Sequence, residues 1–269
     1  MKEYFISEID IEKLYHLSDI KIKLDSNKRQ HLLLTGKNGS GKTSLLLEIE
    51  KFLRAINDEK LSQVFDQYPT WINEAKKKVL SASSDSEKYA ADKDLKQCLG
   101  FLKKYSDGVQ INLNQYEGLE MMYHNGKFIT AYFPSERKAQ FMRPNGVENI
   151  TLENTYGIDE SAGDILLKYM VHLKTQQAYA RNEGDQTTAD KIQQWFDRFD
   201  LALQILLDEE SIHIEYDYKK YDFKIRQNGR EPFSFNELSD GYSSVIYIVS
   251  DLILRMDKNW LLEDKISEY

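Results

Sequence analysis

The densest chemistry in this chain lies in Gly36-Lys37-Asn38-Gly39-Ser40-Gly41-Lys42-Thr43, where glycines, a lysine and a hydroxyl fall in the order G-x-x-x-x-G-K-[ST]. Glycines let a backbone curl until successive N–H groups point inward at phosphate oxygens. The N-terminus of a following helix adds its partial positive charge to the same place. Lys42 is placed to reach the β- and γ-phosphates of a nucleotide, and the Thr43 hydroxyl to complete the coordination of Mg²⁺. Gly36, Asn38, Gly39, Ser40, Gly41, Lys42, Thr43 and Ser44 are therefore the candidate nucleotide-binding residues, with Thr43 also a metal ligand.

Such a loop works only between a buried strand and a helix. His31 to Thr35 contains Leu32, Leu33 and Leu34 without a polar break, the pattern of a strand buried on both faces. Thr43 to Ala55 places Leu45, Leu46, Ile49, Phe52 and Leu53 at helical spacing. Upstream, Ile6 to Ile11 and Ile20 to Leu24 read as half-buried strands, the second as Ile-Lys-Ile-Lys-Leu. Asp58 to Lys104 is helical and polar, broken at Ser81 to Ser86, which reads as a flexible linker. Val109 to Leu113 and Gly118 to Phe133 return to strand character, with Asn125-Gly126 as a hairpin turn. Ala162 to Phe199 reads as two antiparallel helices broken at Glu183-Gly184-Asp185, and Ile212 to Tyr218 with Tyr221 to Ile225 as a second hairpin. Ser239 to Met256 is the last helix, with Val245, Val249, Leu252, Ile253 and Met256 along one face.

The whole is 269 residues, 41% hydrophobic and 30% charged, enough for a sizeable core and against global disorder. A formal charge of -8 excludes a generally basic nucleic-acid coat, and a single cysteine, Cys98, excludes an intrachain disulfide. Glu3, Glu8 and Asp10 do not suit a signal peptide, and the most apolar stretch, Val245 to Met256, is short and holds Asp251. A soluble, cytoplasmic protein with no membrane contact is expected. Lys76-Lys77-Lys78 and Lys103-Lys104 are short basic clusters that lend DNA contact little support.

A second element, Phe233-Ser-Phe-Asn-Glu-Leu-Ser-Asp-Gly-Tyr242, opens the last helix. Ser239 is a good N-cap, and Gly241 lets backbone N–H groups approach an anion. A capped helix packed into the core is the plainer reading of the same residues.

Together the two elements resemble the ABC-type ATPases of the SMC, RecF and OLD-nuclease branch. Leu238-Ser239-Asp240-Gly241 stands where that branch has a signature beginning Leu-Ser-Gly-Gly. Leu-Ser-Asp-Gly-Tyr looks like the ATPases of bacterial anti-phage systems such as Septu and retron-associated modules, and Ala131 to Arg137 looks similar to their core. The resemblance implies an α/β fold with a mixed sheet, flanking helices and helical insertions. With the patterning of strands and helices above, the chain divides into residues 1–57 with the phosphate loop, a helical insertion 58–108, core strands 109–160, a helical hairpin 161–208, and a hairpin with the signature helix 209–269.

The resemblance further implies ATP and Mg²⁺ as cofactors, with Ser239 and Gly241 of one subunit closing on nucleotide held by another. Gln140 is its candidate for holding Mg²⁺, and Arg137 is left between a phosphate contact and a structural ion pair. The expected function is an ATPase subunit that oligomerises around nucleotide and regulates a nuclease or DNA-directed effector in anti-phage defence. A nucleotide-binding scaffold without hydrolysis is the alternative. In the family, an apolar strand ending in Asp-Glu and a switch histidine follow the signature helix. Glu263-Asp264 follows too few apolar residues to serve, and His16, His31, His124, His172 and His213 all precede the signature. The resemblance thus implies that the chain stops before its hydrolytic strand, with a non-hydrolysing variant as the alternative.

Overall fold

The computed structural model describes residues 3–134 and 141–262, with side chains through Asp257. The chain divides into two compact units, Met1–Thr130 and Ala131–Tyr269. It is mixed α/β and rich in helix. The expected mixed sheet is corrected among the described residues to two three-stranded sheets whose strands all pair antiparallel.

In the first unit, β1 (Ile6–Leu14) lies between β2 (Leu17–Lys23) and β3 (Val109–Leu113). Alternation along β1 sends Ile9 and Ile11 to one face, in register with Ile111 and Val109 of β3. That face packs on α1 (Lys42–Asn57) through Leu45, Phe52, Ala55 and Ile56. The polar helical segment forms as a π-turn at Gln63–Gln67, then α2 (Tyr68–Ser81) and α3 (Asp85–Leu102). The break at Ser81 to Ser86 is an N-cap: Ser84 Oγ accepts from Glu87 N at 3.2 Å, and Glu87 Oε2 accepts from Ser83 N at 2.8 Å.

Two expected strands do not form. His31 to Thr35 joins no ladder, and Leu33 is 84% exposed, because no neighbouring strand flanks it among the described residues. Within Gly118 to Phe133 a short helix forms instead, α4 (Leu119–His124), whose Leu119 and Tyr123 are buried in the same core as α1. Asn125-Gly126 closes this helix rather than a hairpin. Gly126 has φ 67°, its N–H donates to Tyr123 O, and Lys127 N–H donates to Met122 O. A left-handed glycine serves a hairpin turn and a helix C-cap equally well, so the dipeptide alone does not distinguish them.

Gly108 tightens the return into β3. Its φ is 75°, Lys13 N–H donates to its carbonyl at 3.1 Å, and an added Cβ would stand 2.0 Å from Lys13 O. Gly108→Ala is expected to cost about 1–3 kcal/mol, read as a lower urea midpoint for the first unit. An unchanged midpoint would mean that the turn is looser than drawn.

In the second unit, α5 (Leu166–Glu183) and α6 (Gln186–Leu207) form the expected hairpin. Gly184 ends α5 at φ 78°, and Asp185 caps α6 by accepting from Thr188 N at 3.0 Å. The second sheet runs β4 (His213–Asp217), β5 (Asp222–Arg226) and β6 (Phe233–Ser234). Trp195, Phe196 and Phe199 of α6 pack with Phe223 and Phe235 to make the core. Ala131 to Pro134 joins no ladder, although Tyr132 N–H donates to Ile158 O at 2.8 Å.

The last helix, α7 (Asp240–Leu262), forms as expected but turns a different face inward. Ile246, Tyr247 and Leu254 enter the core, beside Ser250, Asp251, Arg255 and Asp257, while Val245 and Met256 are exposed. The buried charges are held by partners. Arg255 Nε donates to Asp251 Oδ2 at 2.5 Å, and its Nη groups reach the carbonyls of Tyr156, Gly157 and Glu160. Asp251 Oδ1 accepts from Gly163 N at 3.0 Å, and Asp257 Oδ2 from the Tyr169 hydroxyl at 2.6 Å. Buried charge is tolerated only with such pairing, which side-chain spacing along a helix does not reveal.

Candidate functional site

The phosphate-type loop leads directly into α1, and its Gly41 lies against His16 and Leu17 at the β1–β2 turn. Gly36, Gly39 and Gly41 have φ values of 151°, 80° and 91°, so the loop depends on backbone conformations that side chains disfavour. An added Cβ at Gly41 would stand 2.8 Å from Leu17 Cδ1, and one at Gly36 would stand 2.8 Å from Ser40 Oγ. Around Gly39 there is open space. Ser40 N–H donates to Lys37 O at 3.2 Å and completes the curl.

Lys42 folds its side chain back into this curl. Its Nζ donates to Gly36 O and Lys37 O, both at 2.8 Å, with Ser40 Oγ at 3.4 Å. The ammonium is therefore fixed at the mouth of the loop by the carbonyls of its own backbone. Gly41 caps α1 in the left-handed conformation without a side-chain hydrogen bond, and the first turn holds no acidic residue. The N–H groups of Thr43 and Ser44 have no acceptor among the described residues, and Thr43 is exposed. The partial positive charge of the helix end is thus left for an outside ligand.

These features fit a polyphosphate: an ammonium, helix N–H groups without an acceptor among the described residues, and a curl whose own packing leaves no room for a Cβ at Gly36 or Gly41. Among the described residues the side-chain oxygens at the loop end and the first turn of α1 are the hydroxyls of Ser40, Thr43 and Ser44, with no acid in that turn, which fits a metal already held by phosphate rather than a site built of carboxylates. Among the described residues, no group of three or more His, Cys, Asp or Glu is gathered to hold a metal by itself.

The other expected residues belong to the second unit. Ser239 accepts from Ser243 N through its carbonyl at 2.9 Å, in the N-cap position of α7. Ser239, Asp240, Gly241 and Tyr242 are all exposed. Upstream, Ser234 and Glu237 form a reciprocal capping box around a short 3₁₀ turn, with Glu237 Oε2 accepting from Ser234 N at 2.6 Å. Its carboxyl is held below the ordinary glutamate range by those bonds to Ser234. Asp240, left open by the sequence, is an exposed first-turn acid. Gln140 and Arg137 lie outside the described residues.

Sequence reasoning missed what stands behind each motif. Leu17 lies against Gly41, a contact brought about by the β1–β2 turn with no sequence signal of its own. The Asp251–Arg255 pair had a signal, its i,i+4 spacing on a helix, but nothing to mark it as buried. No helix among the described residues is long and apolar enough to cross a membrane. No protein-family model, curated protein or solved structure matches this chain.

Proposed function

We propose that residues 36–44 bind the triphosphate of ATP with Mg²⁺, and that the chain is an ABC-type ATPase subunit of the SMC, RecF and OLD branch. The observation that carries the first part is the Lys42 ammonium, held by two loop carbonyls at the start of α1, where no side chain caps the helix. In this reading Lys42 exchanges its carbonyl bonds for phosphate oxygens, a charge-assisted interaction stronger than the one it gives up. The N–H groups of Thr43 and Ser44 take further oxygens, and the Thr43 hydroxyl turns to the cation. Mg²⁺, when bound, neutralises phosphate charge and favours departure of the terminal phosphoryl group.

The same reading assigns Ser239 and Gly241 to the γ-phosphate of nucleotide held by a second copy. Their exposure at the start of α7 supports this, since an anion prefers a helix N-terminus. The biological role proposed with it is control of a nuclease or DNA-directed effector in anti-phage defence. That step rests on the resemblance of the two motifs and not on geometry.

The test is calorimetric binding of Mg-ATP, with turnover followed in parallel. Lys42→Ala is expected to weaken binding about 10- to 100-fold, the loss of a hydrogen bond to a charged group. Gly41→Ala should weaken it more than Gly39→Ala, since only the former meets Leu17. Ser239→Ala should leave binding intact and reduce the mass gained when nucleotide is added. Binding that survives Lys42→Ala unchanged overturns the assignment.

A further inference from the structure

We propose that the cavity between the α2–α3 pair and the first sheet binds a free α-amino acid with a large apolar side chain. The cavity measures about 360 Å³, within the range of small-molecule sites, and lies wholly inside the first unit. Its floor is the core of that unit: Phe52 of α1, Val64 of the π-turn, and Val109 and Ile111 of β3 are buried side chains that line it. Phe65 meets Phe52 edge to face at 5.7 Å and gives the floor an aromatic end suited to a ring. α2 adds Ile72 to the walls, and α3 adds Leu99 and Leu102. No residue of the phosphate loop lines the cavity, so the site is separate from the nucleotide reading.

The rim decides which charges the ligand carries. Its charged side chains are Lys76 of α2, Lys103 at the end of α3, Asp107 of the turn that follows, and Glu12 of β1. Lys103 and Asp107 take each other, with Nζ 3.5 Å from Oδ1. Lys76 and Glu12 form no ion pair among the described residues. Lys21, the cation that feels Glu12 across the β1–β2 ladder, is bonded to Asp10 at 2.6 Å instead. One positive and one negative group are thus left over beside an apolar floor. A simple anion would satisfy Lys76 and meet Glu12 as a like charge, and an organic cation would do the reverse. A zwitterion matches both, with its carboxylate on Lys76 and its ammonium on Glu12. Asn73, one turn before Lys76 on the same wall, offers an amide donor and acceptor to the same two groups. Burial of the ligand's side chain on the floor then supplies affinity, and the rim charges supply selectivity.

Titration of the whole chain with L-phenylalanine, followed through amide shifts in NMR, tests it. Saturable binding at about millimolar concentration is expected, the affinity within reach of a ligand of this size. 3-Phenylpropionate, which lacks the ammonium, and phenethylamine, which lacks the carboxylate, should each bind about tenfold more weakly. Lys76→Gln should weaken L-phenylalanine and 3-phenylpropionate and leave phenethylamine unchanged. Glu12→Gln should weaken L-phenylalanine and phenethylamine and leave 3-phenylpropionate unchanged. Leu99→Trp, which fills the cavity, should abolish binding of all three with circular dichroism unchanged. Should that variant not fold, the substitutions at Lys76 and Glu12, both exposed, decide the matter. Lys42→Ala should bind L-phenylalanine like the parent, which separates this site from nucleotide binding. No saturation with L-phenylalanine up to about 20 mM, or binding indifferent to both charge variants, overturns the proposal. An analogue that binds as tightly as L-phenylalanine overturns the assignment to an amino acid, since one charge would then suffice.

Discussion

Arg255→Met is expected to destabilise the second unit by about 3–5 kcal/mol, the cost of stripping one partner from a buried ion pair. Arg255 is 4% exposed and Asp251 is 1% exposed, so water cannot replace the lost guanidinium. The arginine also closes the carbonyls of Tyr156, Gly157 and Glu160, and its removal leaves them without that donor. Asp251 would keep the Gly163 N–H at 3.0 Å but would lose its counter-charge. Against a typical total of about 5–15 kcal/mol, such a loss brings the unit close to unfolding. Adding Asp251→Asn should recover part of it, because the amide oxygen still accepts from Gly163 and no bare charge remains. Urea unfolding of the four chains of this cycle measures both effects. A loss under about 1 kcal/mol for Arg255→Met would put the pair in solvent rather than in the core.

The second large effect is a pH dependence centred on Asp257. Burial pushes its carboxyl up to about 6, only partly offset by hydrogen bonds from Tyr169 of α5 and Trp195 of α6. Burial, reinforced by the same contact with Asp257, pushes the Tyr169 hydroxyl well above the ordinary tyrosine range. Because the folded value lies above the unfolded one near 3.9, the folded state favours the protonated acid. This contribution is fully present below about pH 4 and is lost as pH rises through about 6. Ionisation then costs roughly 3 kcal/mol at pH 7. Asp257→Asn, which keeps an acceptor for both donors, should match the parent near pH 4 and exceed it by about 1–3 kcal/mol at pH 7.5. Thermal or urea unfolding across that range reads the difference, and a gap that does not change with pH rules out Asp257 as its source.

Local signals in the sequence served well where one conformation satisfied them. Ser84 and Asp185 start helices because their side-chain oxygens accept the orphan N–H groups of the first turn, and Gly184 ends one because it takes a positive φ without strain. The hairpin of β4 and β5 follows from alternation alone. The curl of residues 36–43 was equally legible, since Gly36, Gly39 and Gly41 each sit at a backbone conformation that glycine permits.

The misses share a cause. Leu32, Leu33 and Leu34 have the composition of an interior strand, but an interior strand exists only if neighbours flank it, and neighbours are a tertiary fact. Asn125-Gly126 announces a left-handed residue without saying whether a strand or a helix precedes it. In α7 both faces carry apolar residues, so periodicity could not choose between them. The polar face went inside because Gly163, Tyr169 and three backbone carbonyls were there to satisfy it.

What the amino-acid order determined by itself is therefore the set of local conformations: the caps, the hairpin of the second unit and the curl of residues 36–43. These depend on allowed dihedral angles and on donors and acceptors a few residues apart. Tertiary structure alone decided which strands found partners, that each unit closed its own core, and that α7 buried Asp251 and Arg255 while leaving Val245 and Met256 outside. Those outcomes depend on groups distant in sequence supplying hydrogen bonds and excluding water, and no local pattern encodes where such groups will be.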